Sequence, residues 1–272
     1  MIAKDYITAW RLHAPWVSDH QVEQDLVISR ALAQIYSVAE IGQRLTFRGG
    51  TALYKLYLQP AARYSEDIDF VQVAPEPIGE TFDAVRSVLD PWLGTPRRDL
   101  KEGRVNLVYR FSSEDQPSKP LRLKVEINSR EHFTEHGHVR VPFEVESEWW
   151  SGKAEVTTFA IDELLGTKLR ALYQRRKGRD LFDLWYALAN GRASAERVVS
   201  CLDRYLREEG RRVTRAAFEE NLAGKLTDAQ FRSDMTGLLR PGITWDVDAA
   251  GTYVMENVLA RLAGEPWKRE PT

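Results

Sequence analysis

Apolar and polar positions along the chain switch between helical and strand periods, and the switches outline the elements. Residues 1 to 40 carry a helical pattern: in "SDHQVEQDLVISRALAQIYS", Val22, Leu26, Ala31 and Ile35 roughly share one face, with Ser18 or Asp19 placed to cap its start. "RLTF" (44–47) reads as a short strand running into the pair Gly49–Gly50, and "TALYKLYL" continues as a helix with Leu53, Leu56 and Tyr57 on one side. "DIDFVQV" (67–73) alternates with period two until Pro75 and Pro77 stop it, and residues 78 to 93 return to a helix.

A strand-rich stretch follows, "RVNLVYRF" (104–111), "LRLKVEIN" (121–128) and "VRVPFEVES" (139–147), with "SSEDQPSKP" suited to a hairpin connection between the first two. From Ile161 to about residue 264 the period is helical, broken near Gly178, Asn190–Gly191 and Pro241–Gly242. The composition shift near residues 150 to 160 divides the chain into 1–155 and 156–272. The class is α+β: a mixed β-sheet flanked by helices, then a helical C-terminal lobe.

Composition narrows the function classes. Of 272 residues, 43% are apolar and 29% charged, the balance of an ordinary globular protein, and a net charge of −2 means that any polyanion must be held by a local patch. A single cysteine, Cys201, excludes an intrachain disulfide and a cysteine-rich zinc site. His132, His136 and His138 lie in "REHFTEHGHVR", which reads as a polar loop and not as a metal site. The N-terminus lacks an apolar core of signal-peptide length and no segment nears a membrane span, so the expected setting is cytoplasmic and reducing.

The candidate chemistry sits in two stretches. Asp67 and Asp69 are two apart on a strand and so project from one face. Adjacent carboxylates resist ionising together unless cations lie between them, and hard divalent ions such as a pair of Mg²⁺ suit such oxygen ligands. Just upstream, Gly49 and Gly50 allow close backbone approach at a helix start, where an anion binds well, and Thr51 can cap that helix and offer a hydroxyl to a phosphate. Ser65 shares the Asp67 face if the strand begins that early. Glu126, in "LKVEIN", is either a third carboxylate or part of a solvated strand face with Arg122 and Lys124.

In the second stretch, "IDELLGTKLRALYQRRKGRDLFDLWYAL" (161–188), Lys168 falls inside the apolar stripe of Ile161, Leu164, Leu165, Leu169 and Leu172. A lysine there must reach a cleft, a carboxylate or an anionic ligand, or snorkel out to water. Asp180 suits the first turn of the next helix, Arg179 is spaced to pair with Asp183, and Asp183 abuts the apolar stripe. The cations Arg170, Arg175, Arg176, Lys177 and Arg179 make a local basic run, suited to a phosphate backbone or to a solvated hairpin tip.

"FRGGTALYKLYLQPAARYSEDIDF" together with "ELLGTKLRALYQRRKGRDLFDLW" resembles the AbiEii/AbiGii toxin family, nucleotidyltransferases of the DNA polymerase β-like superfamily among which the MenT toxins fall. The resemblance covers roughly residues 40 to 190 and leaves about the last eighty unmatched. It implies a nucleotidyltransferase core with a helical lobe, and transfer of a nucleoside monophosphate from an NTP to an acceptor with Mg²⁺ and release of pyrophosphate. Related toxins act on the 3′ end of tRNA and pair with an antitoxin. On this reading Asp67 and Asp69 bind metal, Gly49, Gly50, Thr51 and Ser65 lie at the nucleotide, and Lys168 neutralises the triphosphate. Asp183 either completes the acidic cluster or orients the acceptor hydroxyl, with Glu126 its rival for the third metal position. A protein or small-molecule acceptor, or an inactive regulatory module that binds nucleotide or RNA, are the competing readings.

Overall fold

The structure is a computed structural model and describes residues 2–268. It divides into two units, residues 1–159 with Leu238–Gly242, and residues 160–237 with 243–272. The division falls within the stretch where the composition shifts. The return of residues 238–242 to the first unit is beyond any single cut in the sequence.

The first unit comprises α1 (Lys4–Trp10), α2 (Asp19–Ser37), α3 (Ala39–Arg44), β1 (Leu45–Arg48), α4 (Gly49–Ala52) widening into a π-turn (Leu53–Tyr57), β2 (Asp67–Gln72), α5 (Ile78–Leu93), β3 (Arg97–Lys101), β4 (Arg104–Ser112), β5 (Pro120–Asn128), β6 (His138–Val145) and β7 (Gly152–Phe159). The N-terminal helical stretch is therefore three helices. Pro15 lies in the break before α2, and Ser18 starts α2 with a reciprocal capping box to Gln21. The expected helix after the glycines widens at Leu58, whose N–H reaches Leu53 O at 2.8 Å. The wide turn accompanies contacts from Lys55 Nζ to Asp25 at 2.6 Å and from the Tyr57 hydroxyl to Phe159 O at 2.7 Å.

The seven strands form one mixed sheet in the order β3-β4-β5-β2-β1-β7-β6. β2 is central, antiparallel to β1 and parallel to β5. Two strands escape the sequence pattern. β3, "RRDLK", is an edge strand with almost every side chain in water, so nothing forces apolar alternation on it. In β7 the four residues Val156–Phe159 are all buried, a run that does not alternate.

The sheet is two-faced. Phe47, Ile68, Phe70, Leu107, Val125 and Ile127 are fully or almost fully buried on one side. Tyr36 of α2 packs on Phe70 with ring centroids 5.9 Å apart, and Phe47 meets Phe70 at 5.7 Å. Each such side chain contributes about 1.5–3 kcal/mol of burial. The period of two then sends Asp67, Asp69, Lys124 and Glu126 to the opposite face, which is where chemistry can occur.

The second unit is helical: α6 (Ile161–Gln174), α7 (Gly178–Ala189), α8 (Ala195–Glu208), α9 (Arg215–Leu226), α10 (Ala229–Ser233), α11 (Val247–Asn257) and a 3₁₀ turn (Leu259–Arg261). α6 and α8 approach closely at Gly166, where a Cβ would collide with Cys201 and sit 3.1 Å from Val198 O. Phe182, Trp185 and Tyr186 of α7 cluster with Trp245, with Phe182 and Trp245 ring centroids 5.2 Å apart.

Candidate active site

β2 carries Asp67 and Asp69 into a row of charges fixed by strand register. Asp67 lies opposite Lys124 of β5, Asp69 opposite Glu126, and on the other side Arg48 of β1 lies opposite Asp69. Lys124 Nζ donates to Glu126 Oε2 at 2.8 Å, and Arg104 stands 3.7 Å from the same oxygen. Arg48 pairs with Glu131. Asp67 Oδ1 is buried and has no hydrogen-bond partner among the described residues. Burial first, and the Asp69 charge second, push the Asp67 carboxyl up to about 6, with Lys124 pulling the other way.

An orphaned, buried carboxylate oxygen beside a second carboxylate is a mismatch that a hard cation relieves, so the pair fits a divalent ion. Among the described residues no three His, Cys, Asp or Glu side chains come together as a metal-holding group. The arrangement is thus a pair of aspartates, with Glu126 turned to Lys124 and Arg104. Asn106 of β4, opposite Glu126, is buried and its Oδ1 lacks a partner.

The glycine corner abuts the pair. Gly49 has φ 84°, and a Cβ there would run into the Asp69 carboxylate. At Gly50 a Cβ would sit 2.6 Å from Arg63 Nη2 and 3.0 Å from Ser65 Oγ. Thr51 does not cap the helix: it is the third residue of α4, with Arg48 at the N-cap. Its buried hydroxyl donates to the Asp67 carbonyl at 2.5 Å and lies 2.9 Å from the Ser65 hydroxyl. Ser65 precedes β2 and is partly exposed. Gly49, Gly50, Thr51, Ser65, Asp67 and Asp69 therefore converge within the first unit.

Lys168 and Asp183 lie in the second unit, in a network of their own. Lys168 Nζ is 3.0 Å from Asp183 Oδ2 and 3.2 Å from Asp180 Oδ1, and both carboxylates are fully buried. Arg175 completes it, donating Nε to Asp180 Oδ2 at 2.7 Å and Nη2 to Oδ1 at 2.8 Å. Burial would raise the Asp180 carboxyl, but Lys168 and then Arg175 bring it below its usual value. Two cations facing two anions make the cluster neutral overall.

The expected Arg179–Asp183 pair is not formed. Asp183 faces inward to Lys168, and Arg179 turns to Asp234, its N–H donating to Oδ2 at 3.1 Å. Of the basic run, Arg170 is held inward by Glu209 at 2.9 Å, whereas Arg176 and Lys177 stay at the surface, 3.7 Å from Asp228 and 3.5 Å from Asp234. Of the loop histidines, His132 lies 2.8 Å from the Gln72 carbonyl and His138 packs edge-on to Phe159. Sequence reasoning passed over Arg48 and Asn106, and placed Lys124 only on a solvated strand face; their signal was the alternation of polar positions in β1, β4 and β5, which has meaning only once register is known.

Solved structures share this architecture. The MenT4 nucleotidyltransferase toxin of Mycobacterium tuberculosis superposes with a TM-score of 0.69 at 18% identity, over 97% of this chain and 91% of that one. JHP933 from Helicobacter pylori gives 0.54 at 18% identity, over 90% and 91%. At such identities the likeness defines the class, a nucleotidyltransferase fold with a mixed sheet flanked by helices. No curated protein matches the sequence significantly. The model of the nucleotidyl transferase AbiEii toxin family, of type IV toxin–antitoxin systems, matches residues 30–252, and the chain belongs to that family. Membership brings a nucleoside triphosphate substrate and an antitoxin partner. Among the described residues no helix is long and apolar enough to cross a membrane.

Proposed function

We propose that this protein transfers a nucleoside monophosphate from an NTP to an RNA acceptor, the 3′ end of tRNA, and so blocks translation in the cytoplasm. The observation that carries the reading is the pair Asp67–Asp69, held on one sheet face against the Gly49 turn, with one buried oxygen of Asp67 lacking a hydrogen-bond partner among the described residues.

In the reaction an RNA hydroxyl oxygen attacks the α-phosphorus and gives up its proton to water, a new O–P bond forms, and the bond to the bridging oxygen breaks as pyrophosphate leaves. Catalysis of this kind is mostly positioning and charge neutralisation. Asp67 and Asp69 would hold Mg²⁺, as a pair of ions, which would supply positive charge to the triphosphate. Gly49 and Gly50 leave room for the triphosphate to approach backbone amides. Thr51 and Ser65 fix the start of β2, Thr51 through the Asp67 carbonyl. Lys124 keeps Glu126 in place beside the pair. Within the second unit Asp183 and Asp180 hold the Lys168 ammonium; the family motif implies a charge-neutralising role for this lysine.

The test is incubation of the purified protein with Mg²⁺, total tRNA and each labelled NTP in turn. The expected result is label on lengthened tRNA with one preferred NTP. Label on protein or on an added small acceptor, and never on RNA, overturns the reading.

A further inference from the structure

Two arginines face each other across the sheet beside the aspartate pair. Arg110 of β4 is the register partner of Arg122 of β5, so their side chains leave the same face at neighbouring positions. Like charges directly opposite destabilise an antiparallel pair. Little in the fold offsets this one: Arg122 stands 3.6 Å from Glu66 with both side chains largely in water, and Arg110 has no ion pair among the described residues. By strand alternation Arg122, Lys124 and Glu126 form one row, and Lys124 is the register partner of Asp67. Arg122 is thus two residues, about 7 Å, along the strand from the position opposite Asp67.

Both arginines line a cavity of about 630 Å³ contained in the first unit. Its wall also includes His20, Tyr64, Glu66 and Pro120. Tyr64 is buried and its hydroxyl lacks a hydrogen-bond partner. Paired guanidiniums present planar forks that match phosphate oxygens bidentately.

Taking the proposed nucleotidyl transfer as its basis, we propose that the Arg110–Arg122 cavity is the docking site of the RNA acceptor, the two guanidiniums binding backbone phosphates next to the terminus presented to Asp67 and Asp69. A bound phosphate turns a repulsive cross-strand pair into a shared anion site. The site serves the acceptor strand, and the NTP is held at the glycine corner.

The experiment measures binding of labelled total tRNA to the full chain without NTP at several salt concentrations, for the native protein, Arg110→Gln/Arg122→Gln and Arg110→Lys/Arg122→Lys. Each phosphate contact to single-stranded RNA contributes about 0.7 to the slope of log affinity against log salt, so the glutamine pair is expected to flatten the slope by about 1.4. The lysine pair is expected to restore most of the slope. NTP binding is unchanged in both variants, and the KM for tRNA rises about tenfold or more in the glutamine pair. Thermal melting verifies that the variants, altered only at exposed side chains, remain folded.

An unchanged salt slope in the glutamine pair, or no binding of tRNA by the native chain, overturns the site. Weakened NTP binding also overturns it, since the arginines would then serve the triphosphate. Transfer to tRNA with an unaltered slope removes only this site. Transfer to a protein acceptor alone, with RNA binding still dependent on both arginines, removes only the proposed function.

Discussion

Gly49 and Asp69 occupy space that no larger residue could share: a side chain on the glycine would overlap the Asp69 carboxylate. The glycine has φ 84°, so backbone and packing independently demand it. The turn and the acidic strand therefore form one unit of geometry: Gly49 directly follows β1, and Arg48, the last residue of β1, pairs in register with Asp69 of β2.

Gly49→Ala combines a left-handed backbone with that overlap, at a cost of about 1–3 kcal/mol. Nucleotidyl transfer is expected to fall sharply, because the side chain that must move is Asp69 itself. Gly50→Ala is milder: its φ is unstrained and its obstacles are the ends of the Arg63 and Ser65 side chains. Melting temperature and turnover of the two variants check the order.

Asp67→Asn is expected to lower activity about 100-fold or more while stabilising the metal-free protein. A carboxyl raised from 3.8 to about 6 by burial and by Asp69 binds its proton more tightly when folded. Native stability from this group therefore declines as pH rises from about 4 to about 6 and stays lower above it, by on the order of 2–3 kcal/mol. The variant lacks this loss. Unfolding midpoints at about pH 4, the start of the window, and about pH 8, beyond its end, compare the two proteins, and Mg²⁺ is expected to raise the native midpoint at the higher pH and leave the variant's nearly unmoved.

Lys168→Met takes the shared ammonium away from two buried carboxylates, Asp180 and Asp183. Breaking a buried ion network from one side costs about 3–5 kcal/mol. Arg175→Ala removes a half-exposed partner of Asp180 and is expected to cost about 1 kcal/mol or less of net pairing. Denaturant unfolding measures both. A Lys168→Met protein that melts like the native chain would sink the structural account of this cluster, and one that retains full turnover would sink the lysine's catalytic role.

Lys225 gives the second unit a stability that rises with alkalinity. Its ammonium donates to the carbonyls of Leu172 and Tyr173 at the end of α6, and burial pulls it down to about 8 from 10.5. The folded state releases this proton before the unfolded chain does, so stability increases between about pH 8 and 10.5. Subtracting the pH profile of Lys225→Gln from that of the native protein isolates the effect; a flat difference over that range removes it.

Local rules were enough for much of the framework. The stop at Pro75 and Pro77 and the apolar face of residues 78–93 give α5 with the bounds the pattern expects, and the alternation of "DIDFVQV" puts Asp67 and Asp69 on one side. Both depend on neighbours within a few residues, which the chain order supplies directly. β3 left no trace because an edge strand in water needs no apolar period, and Pro15 lies in the break between two stretches that share a helical pattern.

Partnerships across the fold are another matter. The chain order alone fixes that Lys168 lies in an apolar stripe, that "RRKGR" is basic, and that Arg122 alternates with Lys124. Tertiary structure decides that Lys168 meets Asp180 and Asp183, that Asp228 and Asp234 stand beside the basic run, and that Arg110 is set against Arg122. The reason is physical: periodicity fixes the face from which a side chain leaves its element, whereas its charge partner depends on strand register and helix packing, set by burial of the apolar faces of elements distant in sequence.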